Sequence, residues 1–340
     1  MKPQITCGLV VFDELNFIKR LIPQVQNELT EFDINWIIVL NHPNENITNQ
    51  INLWLKNYLK NVSCFINSEN NIGSARQKIL ETASTDYIYF IDPDIVLNRS
   101  SIKHLLDFFY NNQNPSFLAC GGPSFFRSSN RYLQINFILL TKLASFIPLA
   151  FQVQNHSKTQ TVDHLPTCHL LVKRQLALKI GGFSKKFQIC GEDLDFSHRA
   201  AIEGLKFIFI PQASVLHWQN LNFKAWFKKV FLYGKIQILV QAQYIKQKIR
   251  WYRLYPTFLL ISLVIFLMIY RSKLQSHTVT VSLLIASIII FHWLILTFIV
   301  YSFGQISEIF LQIFELKSVK KLPLKDPKLY SVSNNSINSN

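Results

Sequence analysis

Short apolar runs and amphipathic segments alternate along the first 91 residues of the chain. The apolar runs have the length of strands and lie at 5–12, 36–40, 62–66 and 87–91. The segments between them carry apolar residues at helical spacing and lie at 13–29, 51–59 and 73–83. Runs that are apolar throughout are typical of strands buried on both faces of a parallel sheet. The alternation therefore predicts βαβ units in a doubly wound α/β fold, with functional sites at the carboxyl ends of the strands. Two short runs, 207–210 and 214–216, are predicted to be the closing strands.

Two longer apolar segments lie near the C-terminus, at 254–270 and 279–303. Neither contains Lys, Arg, Asp or Glu, and a helix needs about 17 to 25 apolar residues to cross a bilayer. The segments predict a transmembrane helical hairpin over 254–303. A third apolar stretch, 133–153, is interrupted by Lys142 and Pro148. For that stretch the pattern allows two interpretations, an interfacial helix or a further span, and the interruptions favour the first.

Positive charge is concentrated in the C-terminal part of the chain. The net charge is +15, and residues 218–340 contain 15 Lys and Arg against three Asp and Glu. Such an excess is typical of proteins that bind nucleic acid or an anionic membrane surface. Because these charges flank apolar runs, we favour the membrane and expect no nucleic-acid partner. Residues 221–253 are predicted to form basic juxtamembrane or interfacial helices, and 304–340 a partly disordered tail on the cytoplasmic side.

The first candidate for chemistry is a pair of carboxylates, Asp92 and Asp94, at the end of the apolar run 87–91. In an extended chain, side chains two residues apart point to the same side. Paired carboxylates suit Mg²⁺ or Mn²⁺, which also bind phosphate oxygens. Such a metal would neutralise a nucleotide diphosphate as the sugar–phosphate bond breaks. The alternative is an acidic surface turn, and the position after a buried strand favours the metal site.

A second group of acids opens a predicted helix after the turn formed by Gly181 and Gly182. Glu192, Asp193 and Asp195 lie in its first turn, where the helix dipole favours negative charge. For Asp195 that structural role is the favoured interpretation. A carboxylate of this group can serve as a general base if burial or neighbouring acids raise its pKa.

Together these motifs resemble the family 2 glycosyltransferases of GT-A fold, over residues 4–218. The motifs that carry the resemblance are the N-terminal strand, ENNIGSARQ at 69–77, Asp92-Pro93-Asp94, Gly181-Gly182-Phe183, the run 192–195, Arg199, Gly204, and the ending from Pro211 to His217. The resemblance implies a Rossmann-like nucleotide-diphospho-sugar transferase domain over 1–220. It also implies a nucleotide-sugar donor and a divalent cofactor, Mg²⁺ or Mn²⁺.

The same resemblance implies roles for the acids and for His217. Asp94 would bind the metal, Asp92 would contact the ribose or the metal shell, and His217 would complete metal or diphosphate binding. A buried core or surface histidine is the alternative for His217. Asp193 would be the general base that deprotonates the acceptor, and Glu192 would orient the acceptor or the base. Attack opposite the leaving diphosphate would invert the anomeric centre.

The resemblance also implies residues around the nucleotide. Asn71 and Gly73 would shape the loop beside it, and Arg76 would contact phosphate or else be a solvated helix arginine. Relatives often carry an Asp after the second strand that binds the base, whereas this chain has Asn41 there. Asn41 is the expected substitute.

The anchor and the resemblance together predict the biology of the chain. We expect an inverting, metal-assisted glycosyltransferase at the inner (cytoplasmic) membrane, with its catalytic domain in the cytoplasm. The anchor would hold the site near a lipid-linked or cell-surface glycan acceptor. The alternative is a catalytically impaired membrane scaffold or binding protein derived from the same fold. Its motivation is Leu40, which leaves the end of the second strand without a carboxylate, together with Lys185 in Ser184-Lys185, where relatives have an acidic pair.

Overall fold

The computed structural model describes residues 2–12, 14–41, 45–128, 130, 133–134, 157–219, 221–244 and 299–309. Its strands are β1 (Gln4–Val11), β2 (Asp33–Asn41), β3 (Val62–Asn67), β4 (Tyr87–Ile91), β5 (Ile95–Leu97), β6 (Phe117–Gly121), β7 (Ser124–Arg127), β8 (Gln160–Val162), β9 (His169–Lys173), β10 (Lys206–Phe209) and β11 (Val215–Trp218). Its helices are α1 (Leu15–Glu28), α2 (Glu45–Tyr58), α3 (Ile72–Thr82), α4 (Ser101–Asn111), α5 (Arg174–Lys179), α6 (Glu192–Ile202) and α7 (Phe223–Gln243). A further helical segment covers 299–309.

Eight strands form one mixed sheet in the order β3-β2-β1-β4-β9-β6-β10-β8. The first four are parallel, as the alternating pattern predicts. Strand β9, which the sequence pattern did not predict, runs antiparallel between β4 and β6. This direction pairs His169, the first residue of β9, with Ile91, the last residue of β4. The chain that enters β9 therefore passes beside the carboxyl end of β4.

Helices cover both faces of this sheet, so the core has two layers. One apolar cluster joins the sheet to α1, α2 and α4, and the other joins it to α3, α5 and α6. Strand β1 contributes to both, since Leu9 lies in the first cluster and Val10 in the second. At Gly8 a Cβ atom would overlap the side chain of Ile79 on α3. The glycine therefore lets α3 approach β1 closely.

A small second sheet lies at the carboxyl end of β4, in the order β5-β11-β7. Strand β11 pairs antiparallel with β5 and parallel with β7. Since β5 follows β4 after three residues, this pairing carries the end of β11 to the end of β4.

Helix α7 packs onto the α/β domain and against the segment 299–309. Ile236 and Val240 form a buried cluster with Phe187, and a Cβ atom on Gly191 would overlap the Ile236 side chain. On the other side of α7, Gly234 lies against the backbone at Tyr301, and Gly304 lies against the backbone at Phe231. Lys235 and Glu308 add an ion pair with 3.6 Å between nitrogen and oxygen.

Among the residues that the structure describes, no helix is both long enough and apolar enough to cross a membrane. The predicted span 254–270 and most of 279–303 lie outside the described residues, as do nearly all of 133–153 and the end of the tail after 309. The hairpin and the interfacial helix stay predictions.

Candidate active site

Asp92 and Asp94 lie in a turn, not in an extended strand. The ladder of β4 ends at Ile91, and the Ile95 amide donates to the Asp92 carbonyl across 3.2 Å. The prediction that an extended chain aligns the two side chains is therefore wrong. The turn nevertheless keeps the two carboxylates close to each other. Asp92 is also fixed to the neighbouring chain, since its amide donates to the Cys168 carbonyl over 3.1 Å.

His217 reaches Asp94 through the small sheet. It is paired with Ile95 across β5 and β11, and the Trp218 amide donates to the Asp94 carbonyl over 2.8 Å. The Nε2 atom of His217 lies 3.1 Å from the Asp94 carboxylate. Its ring stacks on Phe126 with 5.5 Å between centroids. His217 is buried, but it lies at the carboxylates, so its environment differs from that of an ordinary core histidine.

The electrostatics of this pair favour ionised groups. Burial by itself lowers the pKa of His217, but the charge of the Asp94 carboxylate outweighs this effect and raises the pKa to about 10. Burial by itself raises the pKa of Asp94, while His217 lowers it by charge and hydrogen bonding, with a net lowering. An anionic Asp94 is the form that binds a cation.

Asp92, Asp94 and His217 fit a divalent metal. Each offers one ligand atom, and these three atoms lie within 4.8 Å of one another. Two carboxylate oxygens and a neutral imidazole nitrogen suit Mn²⁺, and the oxygens suit Mg²⁺ as well. A metal that binds His217 would therefore displace the proton that Asp94 stabilises on the ring. In addition, His217 Nδ1 is buried without a hydrogen-bond partner. A buried polar atom without a partner is unusual unless the site serves a function.

Arg76 connects these carboxylates to the acids of α6. One of its guanidinium nitrogens lies 2.9 Å from Asp92, and another forms an ion pair with Glu192. Arg76 is 4% exposed, so the alternative of a solvated helix arginine is wrong. Glu192 is 2% exposed, and its second carboxylate oxygen has no hydrogen-bond partner. Residues 116 positions apart in sequence thus form one charged group.

Asp193 lies next to Glu192 at the start of α6 and is 6% exposed. One carboxylate oxygen accepts from the Leu194 amide at 2.8 Å, and the other lies 3.7 Å from His164 Nε2. The Ser197 hydroxyl donates to the Asp193 carbonyl at 2.7 Å, so it can accept from His164 Nδ1, 3.0 Å away. His164 is therefore oriented with Nε2 towards Asp193, a contact that the sequence did not reveal.

Asp195, the third acid of this turn, has a structural environment. It is fully buried, Arg199 donates to it at 2.7 and 2.9 Å, and the Tyr244 hydroxyl donates at 2.6 Å. These contacts agree with the favoured interpretation that Asp195 stabilises the fold.

Asn71 and Gly73 support the start of α3. The Asn71 side chain caps the helix by accepting from the Ser74 amide at 3.0 Å, and it donates to the Lys185 carbonyl at 2.6 Å. A Cβ atom on Gly73 would overlap the Ser184 carbonyl. The two residues hold the loop after Gly182 against α3, beside Arg76. Contact with a nucleotide stays a prediction for both.

Asn41 ends β2 and is fully buried. Its side-chain oxygen accepts from Asn67 Nδ2 at 2.6 Å, while its Nδ2 group has no hydrogen-bond partner. Since Asn67 Nδ2 also donates to the Asn71 carbonyl at 2.9 Å, the three asparagines link the ends of β2 and β3 to α3. Asn41 therefore lies at the edge predicted for the nucleotide.

Lys229 and Tyr233 on α7 are a further contribution that the sequence did not reveal. The Lys229 ammonium lies 5.7 Å from the centre of the Tyr233 ring. Burial lowers the pKa of Lys229, and the charges of Asp94 and Asp92 act in the opposite direction. The helix predicted to lie at a membrane surface thus brings a cation near the carboxylates.

A mixed Rossmann-like sheet with acids at its carboxyl edge is the arrangement expected of the GT-A fold. The sequence model described as Glycosyl transferase family 2 matches residues 6–181, just over half of the chain. The chain belongs to this family.

Named relatives agree with this membership. The SPbeta prophage-derived glycosyltransferase SunS of Bacillus subtilis is 32% identical over 114 residues, which is 32% of this chain and 25% of that protein. The rhamnosyltransferase WbbL of Escherichia coli is 21% identical over 168 residues, 48% of this chain and 64% of that protein. Both matches span less than two thirds of the relative.

A solved structure shares the fold over nearly the whole chain. The mannosyltransferase PcManGT from Pyrobaculum calidifontis, in complex with GDP-Man and Mn²⁺, superposes with a TM-score of 0.64 at 11% identity. The match covers 92% of this chain and 88% of that one.

Proposed function

We propose that this chain is an inverting, metal-dependent glycosyltransferase that transfers a sugar from a nucleoside-diphosphate donor to a lipid-linked or cell-surface glycan acceptor. The proposal rests on one observation, a connected set of charged side chains at the edge of the sheet. Arg76 joins Asp92, beside Asp94 and His217, to Glu192, beside Asp193. The residues for donor activation and for acceptor deprotonation therefore meet at one edge of the sheet.

On the donor side, Asp92, Asp94 and His217 would hold Mn²⁺ or Mg²⁺. The metal would neutralise the diphosphate that leaves with the nucleotide. Arg76 already binds Asp92 and Glu192, so in this arrangement its main effect is to hold both acids in place. Asn41, Asn71 and Gly73 are proposed to line the nucleotide side of the site. PcManGT, which shares the fold, binds GDP-Man and Mn²⁺, and this supports a nucleotide-sugar donor and a divalent cation.

On the acceptor side, Asp193 would take the proton from the attacking hydroxyl. Its carboxylate is held by the Leu194 amide and faces His164, so its direction is fixed before the acceptor binds. Glu192 would orient the acceptor. The base lies on α6, whereas the metal group lies in the turn after β4 and on β11. This separation is compatible with attack from the face opposite the leaving diphosphate. We therefore propose inversion at the anomeric carbon.

We propose that the protein is held at the inner membrane, with its catalytic domain in the cytoplasm, and that its acceptor lies in the same membrane. The support comes from sequence and from the described helices. Helix α7 and the segment 299–309 pack side by side, and most of the predicted hairpin lies between them in the sequence. This arrangement is expected if the intervening segment crosses a membrane an even number of times. A site held there would be concentrated near lipid-linked acceptors.

The direct test is a panel of nucleotide sugars and Mn²⁺ with the purified full-length chain. We expect one nucleotide sugar to raise the melting temperature in the presence of Mn²⁺, because a ligand that binds only the folded state stabilises it. We expect the same donor to be consumed when membranes that carry acceptors are added, with NMR of the product showing an inverted anomeric centre. Binding without consumption would favour the membrane scaffold, and retention would contradict Asp193 as the base.

A further inference from the structure

We propose that His164 is the partner of the general base, which fixes the direction of Asp193 and takes from it the proton of the acceptor hydroxyl. The inference rests on the proposed function, because it assumes that Asp193 deprotonates an acceptor. It adds a positioning residue that none of the sequence motifs included and that acts on the reaction through Asp193.

The position of His164 is fixed by the segment that leads into β9. Residues 164–168 are all buried, and the last of them, Cys168, accepts the hydrogen bond from the Asp92 amide at 3.1 Å. Leu165 packs in the apolar cluster that joins the sheet to α6. The same short segment therefore contacts the turn after β4 at one end and faces Asp193 at the other.

The hydrogen bonds of Ser197 determine which nitrogen of His164 carries the hydrogen. Ser197 is fully buried, and its hydroxyl donates its one hydrogen to the Asp193 carbonyl, a turn earlier on α6, at 2.7 Å. The 3.0 Å contact between the Ser197 oxygen and His164 Nδ1 therefore needs a hydrogen on Nδ1. In the neutral imidazole the other nitrogen, Nε2, then has no hydrogen and can act as a base.

This basic nitrogen faces the Asp193 carboxylate across 3.7 Å. The separation is longer than a hydrogen bond, as expected for two acceptor atoms that have no hydrogen between them. One added proton would join the two groups by a charge-assisted hydrogen bond. His164 and Asp193 are 7% and 6% exposed, so water competes little for that proton. The pair is therefore arranged to take up one proton.

During sugar transfer that proton would come from the acceptor. As the acceptor oxygen attacks, its O–H bond breaks and the Asp193 carboxylate binds the proton. The proton then passes to His164 Nε2, which leaves an imidazolium beside a regenerated carboxylate. No other bond changes at either residue, and the proton leaves to solvent when the product dissociates.

The three residues differ from a nucleophilic triad, although they are of the same types. In such a triad the serine hydroxyl gives its proton to the histidine. Here the Ser197 hydroxyl donates to a backbone carbonyl and accepts from the ring. Ser197 is also fully buried, so its role is to orient His164.

Nitrogen NMR of the histidine rings in the full-length protein, without any substrate, tests the polarity of this contact. The His164 signal is assigned by its loss in His164→Gln. We expect the neutral wild-type ring to carry its hydrogen on Nδ1, and Ser197→Ala to shift the ring towards the form with the hydrogen on Nε2. A wild-type ring with its hydrogen on Nε2 would overturn the inference, because that nitrogen would donate to Asp193 and could not take its proton.

Chemical rescue of His164→Ala tests the role in transfer. The control is His198→Ala, since His198 is also buried and follows Ser197 on α6. With the donor and acceptor membranes found in the nucleotide-sugar panel, we expect kcat of His164→Ala to fall at least about tenfold at unchanged donor KM, the effect of one lost hydrogen bond to a charged group. Added imidazole should recover most of this loss. Pyrazole, which has nearly the same shape but is a far weaker base, should not, and neither compound should raise the rate of His198→Ala.

The outcomes separate this inference from the proposed function. If the wild type transfers no sugar, the proposed function fails, and the NMR result still decides the polarity of the contact. If the wild type transfers sugar and His164→Ala keeps its kcat, the role of His164 is refuted while the proposed function stands. Rescue by pyrazole as well as imidazole, or rescue of His198→Ala, would also overturn the inference, since it would indicate a purely structural effect.

A second variant covers the case in which His164→Ala does not fold. His164→Gln keeps much of the volume of the ring and its capacity for hydrogen bonds, but its amide cannot take up a proton. We expect the same loss of at least about tenfold in kcat at unchanged donor KM. Transfer by His164→Gln at the wild-type rate would refute the proposal.

Discussion

Arg76 is the residue on which the buried charge of the site depends. It contacts Asp92 and Glu192 from a position that is 4% exposed. The family resemblance implied a phosphate contact, with a solvated helix arginine as the alternative, and neither interpretation included Glu192, which lies 116 positions away. Long-range ion pairs of this kind are fixed by tertiary packing, and no local pattern predicts them.

Replacing Arg76 with Met should destabilise the protein strongly. Removing one partner of a buried ion pair leaves the remaining charge without compensation, at a cost of about 3 to 5 kcal/mol. Urea-induced unfolding at neutral pH measures this cost. Lys78→Met is the control, since Lys78 lies on the same helix, is exposed, and contacts only the Phe65 ring among its described interactions. A loss below 1 kcal/mol in Arg76→Met would contradict the bridging role.

Asp193→Asn should abolish transfer while leaving donor binding intact. A positioned general base contributes about 10²- to 10⁴-fold to the rate, and an amide cannot take the proton from the acceptor. We expect kcat to fall at least about 100-fold, with little change in donor KM. The control is Glu203→Gln, at the exposed C-terminal end of the same helix. Transfer at the wild-type rate by Asp193→Asn would show that another group is the base.

At the scale of elements, His169 is the first residue of β9, the strand that pairs with β4 on one side and with β6 on the other. The ring is 1% exposed. Its Nε2–H donates to the Ala213 carbonyl at 2.9 Å, so Nδ1 accepts from the Tyr89 hydroxyl at 2.7 Å. The neutral imidazole, which is the form that burial favours, satisfies both bonds. Burial lowers the pKa of His169 from 6.5 to about 4, although the bond to Ala213 opposes this shift.

His169 should make the protein less stable in mild acid. Between pH 6.5 and 4 the unfolded chain binds a proton at this residue and the folded chain does not, so stability falls as the pH falls. From pH 7.5 to 5 the loss is about 2 kcal/mol. His169→Gln should reduce the difference in unfolding free energy between the two pH values by this amount. The control, His104→Gln on α4, should leave it unchanged. If the unfolding free energy of His169→Gln changes between the two pH values as much as that of the wild type, His169 is not the source of the acid sensitivity.

The sequence predicted the elements that depend on local pattern. Strand β4 ahead of its two acids, the helix predicted over 73–83 and observed as Ile72–Thr82, and the acidic first turn of α6 follow from apolar runs, helical spacing and the helix dipole. The antiparallel direction of β9 was not predictable, because a short apolar run has no direction of its own. The turn at Pro93 was also missed. Side chains two residues apart point to the same side only while the chain stays in an extended strand, and the pairing of β4 ends at Ile91.

Helix α7 shows a second limit of sequence patterns. Its lysines and aromatic residues fit a membrane surface, and the same residues also fit a helix that packs on a protein. The packing of Ile236 against Gly191 and Phe187 shows the second of these two roles. The three-residue group of Asp92, Asp94 and His217, by contrast, followed from strand ends and from the family resemblance.

At the scale of the whole molecule, α7 packs on the α/β domain and on the segment 299–309, whose first five residues belong to the predicted hairpin. A membrane-bound site should prefer acceptors that share its membrane. In reconstituted vesicles, we expect kcat/KM for a lipid-linked acceptor to exceed that for the same glycan without lipid by at least about tenfold, through effective concentration. Equal values for the two acceptors would contradict the proposed acceptor class.

The central claim is that Asp92, Asp94 and His217 hold a divalent cation on which sugar transfer depends. The measurement that tests it most directly is the initial rate of transfer across a titration of Mn²⁺, for the wild type and for Asp94→Asn. The account predicts a wild-type rate that is at background in EDTA and rises to saturation with Mn²⁺, while Asp94→Asn stays near background throughout. A wild type that is fully active in EDTA, or an Asp94→Asn variant with the same Mn²⁺ dependence as the wild type, would contradict it.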